Sequence, residues 1–459
     1  MGKPRKLKER FKHMQEFKDL CKDIVKSAIK KGADEAEVFL EFGRESEIGT
    51  RLGEVETIKE ATSKGLGLRV FKNKRLGFTY TSDFTESHLD NLIKTTIELS
   101  EQASEDEFNG LPEPSPDEIV DLELFDPEIA QIETSWKIDA CKRMEKTMFD
   151  YDKRLNNSEG ANFLDGDSTV HIGNSKGFYH SFKNSYCYLF CLPIARQDGK
   201  LQSGFWFSLS RFFAKLDSPE TVAKTAAERT VRMLGAITPK TVQAPVVFDP
   251  LTAASLVGII PAAVNGDAVY KRATFLVDKI DETVASSKVN IRDDGQLIKG
   301  LASSPVDGEG LPTVNKVIIS NGKLKTYLYD TYTARKAKTI STANAQRGYS
   351  STPGIGSFNC YLEAGDFTPD EIIGSIENGL YLTNLMGSGI DIVTGDYSRG
   401  ASGLWIENGK LTKPVEGLTI ASNMNDMLKN IEMIGDDLKM MGPVSSPTFK
   451  ISMMTIAGA

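Results

Sequence analysis

Two asparagine–glycine pairs, Asn321-Gly322 in "KVIISNGKLKTYLYD" and Asn408-Gly409 in "GLWIENGKLTKPV", each stand between alternating apolar stretches. A two-residue hairpin turn that matches the twist of its strands requires positive φ at both central positions, which Asn-Gly adopts with least steric cost. Both stretches therefore predict hairpins. Leu404 and Ile406 alternate with Trp405, so residues 403–411 read as structural. The shared "NGKL" is two hairpins meeting one turn requirement and does not establish an internal repeat.

Around these turns the patterns are mixed. Phe17, Leu20, Cys21, Ile24, Val25, Ala28 and Ile29 recur at helical spacing, with Gly32 as the stop. "AEVFLEF", "GEVETIKEA", "LGLRVF" and "RLGFTYT" predict short strands, followed by a helix carrying Leu89, Leu92, Ile93, Ile97 and Leu99. Residues 101–128 are acidic, proline-bearing and aperiodic, an exposed loop. A helix near Trp136 precedes the strands "STVHIG", "SYCYLFCLPI" and "SGFWFSLS", and a helix with Ser218 as N-cap closes this half. "PVVFDP" reads as a buried strand and "LTAASLVGIIPAAV" as a helix of small and apolar residues. "NMNDMLKNIEMIGDDL" reads as a final helix and "TFKISMMTIAG" as a final strand. The expectation is an α+β protein, with an N-terminal mixed α/β domain over 1–236 and a mostly antiparallel, barrel-like C-terminal domain over 240–459.

With 459 residues the chain can bury two cores, and a net charge of -8 gives no whole-molecule attraction for nucleic acid. The basic opening, residues 1–22, reads as a solvated arm before the first helix, since no apolar run makes it a secretory signal. No stretch is apolar for long enough to span a bilayer. Five cysteines without zinc-ribbon spacing suit a reducing cytoplasm. Strand alternation sets Cys187 and Cys191 on one face, as small core residues.

"GSGIDIVTGDYSRGASG" is the densest polar and glycine-rich stretch, with Asp391, Asp396, Ser398 and Arg399 among glycines 387, 389, 395, 400 and 403. Glycine at this density lets backbone N–H groups approach a peptide or a phosphate. It is neither a Walker loop nor a dinucleotide fingerprint. The plainer reading is a set of turns braced by an Asp396–Arg399 pair.

The run "VTGDYSRGASGLWIENGKLTKPVEGLTIASNMNDMLKNIEMIGDD" resembles the C-terminal signature of the TldD/PmbA family, the modulator-of-gyrase proteins. "SSPVDGEGLPT", "GKLKTYLYDTYTARKA" and "TANAQRG" follow that family's order, and "GLGLRVFKNKRLGFTYTSD" resembles its N-terminal domain. The resemblance implies a heteromeric metallopeptidase. Its TldD-type subunit carries zinc on a His-Glu-x-x-x-His helix after a strand like "PVVFDP", with a C-terminal cysteine as further ligand. Zinc so held acidifies a bound water for attack on a peptide bond. Alignment on Gly266-Asp267 puts Val257, Gly258 and Ala262 where the two histidines and the glutamate belong. All four histidines (His13, His88, His171 and His180) precede position 181, and "MMGPVSSPTFKI" holds serines near the expected thiolate. Such residues cannot grip zinc. Asp267, Asp293 and Asp294 would give only a hard oxygen site.

The resemblance is thus to the TldE (PmbA) branch, which lacks the ligands. It implies a subunit without metal of its own that pairs with a zinc-bearing TldD-like partner and handles flexible peptides. The substrate-binding candidates are Asp396, Ser398 and Arg399, then Arg335 and Lys336 of "TYTARKA", whose plainer reading is a solvated helix face. Extended peptides bind sheet edges by completing the ladder. Two alternatives stand beside this expectation. One is a stand-alone metallopeptidase using Asp293, Asp294, Asp307 and Glu309, acids whose spacing also suits plain turns. The other is a homodimeric peptide-binding module without a proteolytic partner. A gyrase-related effect, if there is one, would be indirect, since no basic groove is present.

Overall fold

The computed structural model describes the backbone of residues 3–458 and the side chains of residues 16–458. Helix α1 (Lys3–Lys30) already includes most of the basic opening, which is therefore continuous with the first helix and not a separate arm. The solvation of its first charges lies outside the described residues. Gly32, at φ 106°, turns the chain out of the helix.

Seven strands follow in one sheet: β1 (Glu35–Arg51), β2 (Glu54–Lys72), β3 (Arg75–Thr81), β4 (Leu155–Asn174), β5 (Tyr179–Gln197), β6 (Lys200–Ser203) and β7 (Trp206–Ser210). The order is β3-β2-β1-β4-β5-β6, with β7 also on β5, and every pairing is antiparallel. Several short predicted strands are pieces of longer ones. "GEVETIKEA" and "LGLRVF" both belong to the 19-residue β2, whose first half is too polar to show the apolar alternation of a half-buried strand.

Helices cover one face of this sheet. α1 and α2 (Glu86–Gln102) pack over Val38, Leu40, Leu66 and Leu68. α3 (Thr134–Tyr151) and α4 (Pro219–Val231) cover Ile48, Phe163, Cys187 and Leu189. Each such side chain contributes about 1.5–3 kcal/mol relative to exposure. Cys187 and Cys191 lie together in this core, as their spacing predicts. Ser218 caps α4, its Oγ accepting from Thr221 N at 3.1 Å.

In the second half β8 (Val242–Phe248), β15 (Asn378–Met386), β16 (Asp396–Glu407), β17 (Lys410–Asn423) and β20 (Phe449–Ala457) run in the order β17-β16-β15-β8-β20. β20 returns to pair with β17, closing a five-stranded barrel. Closure leaves these strands no open edge. The β16–β17 turn is Asn408 (φ 50°) and Gly409 (φ 74°), and the other asparagine–glycine pair shows 47° and 76°, as hairpin geometry requires. That second hairpin joins β10 (Asn315–Ser320) to β11 (Lys323–Leu324) in a small sheet with β9 (Ile291–Asp294), β14 (Asn359–Leu362) and β19 (Val444–Ser445). β12 (Ala345–Gln346) and β13 (Gly354–Ile355) form a separate ribbon.

Two helix expectations are corrected. Of "NMNDMLKNIEMIGDDL" only α10 (Met424–Lys429) is helical, whereas β18 (Ile431–Ile434) pairs along β20 and buries Ile431 and Ile434 there. The barrel rim outweighs local helix propensity. "LTAASLVGIIPAAV" divides into α5 (Pro250–Val257) and α6 (Ile259–Ala263) at Gly258. Three shorter helices, α7 (Gly266–Tyr270), α8 (Thr331–Lys336) and α9 (Pro369–Gly374), complete the chain.

The halves are joined by buried charge and by close backbone approach. Arg69 on β2 donates to Glu37 at 3.1 Å and to Glu309 at 3.1 Å, and Arg347 donates to Glu37 at 2.8 Å. Tyr349 lies across β2: a Cβ on Gly65 would come within 2.1 Å of its ring, and one on Gly67 within 2.2 Å of its carbonyl oxygen. "GLGLRVF" therefore meets Tyr349, the residue directly after "TANAQRG", in one intrachain contact.

Candidate functional site

Asp249, after β8, starts α5. Its Oδ1 accepts from Thr252 N at 3.0 Å as N-cap, and its Oδ2 accepts from Arg229 of α4 at 2.8 Å. Val257 is 2% exposed and belongs to the barrel core. Gly258 lies beneath Val444, whose Cγ1 would stand 3.9 Å from a Cβ at that glycine. Ala262 is exposed. "MMGPVSSPTFKI" is thus brought to the helix that the family resemblance singled out, and what meets there is hydrocarbon. The Ser445 hydroxyl donates to Gly442 O and accepts from Met441 N, while that of Ser446 donates to Pro447 O, so both are engaged within their own loop. These residues do not fit a zinc ion. Among the described residues no three His, Cys, Asp or Glu side chains gather as a metal would require.

The four acids of the alternative metal site are occupied by protein donors. Asp293 accepts from Asn344 at 2.8 Å and from Phe358 N at 2.6 Å, with Lys316 at 3.5 Å. Asp294 accepts from Gln296 N and Asn315. Asp307 accepts from the amides of Glu309, Leu311 and Ala345. Glu309 takes Arg69 on one oxygen and Thr331 N on the other. Burial and the neighbouring Glu309 push the Asp307 carboxyl up, against the pull of its three amides. These are braces for loops. Asp267 pairs with Lys271 at 2.6 Å.

The five binding candidates separate. Asp396 and Ser398 lie on the exposed side of β16, and Arg399 on the side of the buried Tyr397 and Ala401. The Asp396–Arg399 pair does not form, because residues three apart on a strand point to opposite faces. Asp396 instead bonds Thr394 and Asn423, which hold its carboxyl below the usual range. The backbone here is no open edge: Ser398 N donates to Gly389 O, Asp391 N donates to Asp396 O, and β17 pairs the other side. Arg335 is a clamp, donating to the carbonyls of Phe108, Gly110 and Leu111 at 2.7–3.0 Å and fastening the acidic loop to the second half. Lys336 lies over the rings of Tyr270 and Tyr332, at 4.2 and 5.0 Å.

Sequence reading passed over Ser255 and Tyr397. Ser255 Oγ accepts from Arg399 Nη1 at 2.6 Å. Tyr397 is 1% exposed, and its hydroxyl, beside the Arg399 guanidinium, donates to no acceptor. The alternation of Tyr397 with Arg399 on a strand was the available signal; the link to Ser255 spans 144 positions and leaves none.

A closed barrel with a helix after its first strand, joined to an antiparallel sheet, is the scaffold on which the family match falls. Residues 241–458 match the PmbA/TldA metallopeptidase C-terminal domain, 127–234 the central domain and 36–100 domain 1. The chain belongs to the PmbA/TldD family. It is 31% identical to a protein named metalloprotease PmbA homolog from Haemophilus influenzae, over 97% of this chain and 96% of that one. The crystal structure of a putative modulator of DNA gyrase from Bacteroides thetaiotaomicron superposes with a TM-score of 0.90 at 26% identity, covering 97% of this chain and 99% of that one. TldE from Thermococcus kodakarensis shares the fold, with a TM-score of 0.87 at 23% identity over 95% and 99% of the two chains.

Proposed function

We propose that this chain is the non-catalytic, peptide-handling subunit of a heteromeric metallopeptidase, and that a zinc-bearing relative supplies hydrolysis. One observation carries the reading: Val257, Gly258 and Ala262, with Val444 set against Gly258, offer no lone pair where this family scaffold would hold a metal. The four acids that might have replaced the ligands spend their oxygens on amides and guanidinium groups. The substrate is a flexible peptide segment, which Asp396 and Ser398 would meet on the exposed side of β16 and the half-buried Arg399 on the other. A reducing cytoplasm suits five buried, unpaired cysteines.

The test is reconstitution. An unstructured peptide is incubated with this chain, with a zinc-bearing family member from the same source, and with their mixture. Cleavage by the mixture far above that of either component supports the reading, and unaided cleavage by this chain defeats it. Equal cleavage with and without it would leave it a separate binding protein.

A further inference from the structure

We propose that Arg399, Tyr397 and Ser255 form a carboxylate-binding head at one end of a peptide groove along α5 and α6, which rests on the peptide-handling reading above. Arg399 is a partly buried cation with no ion pair among the described residues: Nη1 donates to Ser255 Oγ at 2.6 Å, and Nε is buried without a partner. Three other deep guanidinium groups have carboxylate or carbonyl partners, although Arg232 and Arg347, like Arg399, also keep buried nitrogens without one. Arg69 and Arg347 have Glu37, and Arg211 donates to the carbonyl oxygens of Gly300, Leu301 and Ser185. Burying a charge on one hydroxyl is unfavourable unless an anion completes the shell.

The second observation concerns the neighbour of this guanidinium. The Tyr397 side chain is 1% exposed, its hydroxyl donates to no acceptor, and it stands two residues from Arg399 on the same strand face. The phenol lies in the reach of the Arg399 guanidinium and gives its own proton to no acceptor, so the phenol O–H and the guanidinium Nε–H together form a donor set for one oxyanion. The groove is built for close approach. Ala254 and Ser255 of α5 and Ala262 of α6 are not fully buried and bear only small side chains, with Val444 over Gly258 between them. Gly389 lets its loop lie against Arg399, for a Cβ there would come within 2.6 Å of Arg399 Cγ. Met386, 49% exposed and packed against Gly400, supplies an apolar rim. A peptide carboxylate beside an apolar residue fits. It comes either from the chain terminus or from an Asp or Glu side chain.

The test measures binding of fluorescein-labelled, unstructured peptides to the full chain. One ends in a free leucine carboxylate, one in leucine amide, and one in leucine amide with an internal glutamate. The free acid should bind more tightly than the plain amide by on the order of tenfold. Arg399→Met should abolish that difference, while Arg399→Lys and Tyr397→Phe should each reduce it and keep the melting temperature near wild type. If the glutamate peptide equals the free acid, the source is the side chain; if it equals the plain amide, the source is the terminus. Equal binding of all three, or a preference that survives Arg399→Met, overturns the proposal; a buried water joining Tyr397 to Arg399 would give the former. Should Arg399→Met not fold, undiminished selectivity in both milder variants overturns it equally. Cleavage by the reconstituted mixture without carboxylate preference refutes this site alone. Preference without cleavage refutes the partner reading alone.

Discussion

Arg229 and Asp249 form an ion pair at 2.8 Å that ties the last helix of the first half to the start of α5. Asp249 is 1% exposed and also caps α5, and Arg229 lies over the Trp206 ring at 4.9 Å while donating to Thr383 O. Arg229→Ala would leave a buried carboxylate half answered, which costs about 3–5 kcal/mol. Denaturant unfolding should show that loss. A change below about 1 kcal/mol would place the pair among contacts of surface strength.

The Arg335 clamp predicts local rather than global opening. Three hydrogen bonds from one guanidinium hold residues 108–111. Arg335→Ala should speed cleavage by a glutamate-specific protease at Glu107 and Glu118, both exposed, several-fold at unchanged enzyme concentration. Cleavage at the wild-type rate would mean that the buried Leu111, Leu122 and Leu124 hold the loop unaided.

Gly67 is where β2 passes under the Tyr349 carbonyl. Gly67→Ala places a methyl group within 2.2 Å of that backbone oxygen, so a backbone must move, at a cost of about 1–3 kcal/mol. Gly53, at the β1–β2 turn, has nothing within 4 Å and tests the backbone effect separately, since its φ of 82° makes alanine strained without a clash. Calorimetry on both variants separates steric from conformational loss.

His171 gives a pH signature. It is fully buried, with Nδ1 2.8 Å from the Tyr179 hydroxyl and Nε2 unpartnered, and burial followed by the charge of Lys183 pushes it down from 6.5 to about 4. The unfolded chain then binds the proton more readily than the folded one. Stability from this group is complete above pH 6.5, falls as pH drops, and is lost by about pH 4. The difference amounts to at most about 3 kcal/mol. His171→Phe, among the rings of Phe17 and Phe42, should flatten that part of the pH–stability curve. Identical curves for wild type and variant would contradict the assignment.

What the sequence made legible was local. The turn geometry at Asn321 and Asn408, the Ser218 cap and the buried stripe of α2 each follow from neighbours a few residues apart. What escaped was set by distant partners. Glu309 meets Arg69 across 240 positions and Arg347 meets Glu37 across 310, so acids that looked free to bind metal had been engaged by residues no periodicity reveals. The glycines of residues 387–403 invited a peptide edge, yet the chain's own 389–391 segment had already completed it. The reading of Val257, Gly258 and Ala262 as the family's ligand positions came from resemblance alone, and the structure adds that Val444 packs against Gly258.

Zinc content measured on the purified chain, after dialysis against a moderate chelator, tests the central claim most directly. No stoichiometric zinc and no cleavage of an unstructured peptide by this chain alone are expected, while a zinc-bearing relative treated alongside retains its ion. One zinc held per chain, with unaided cleavage that disappears as the metal is stripped and returns with it, would place hydrolysis in this chain and not in a partner.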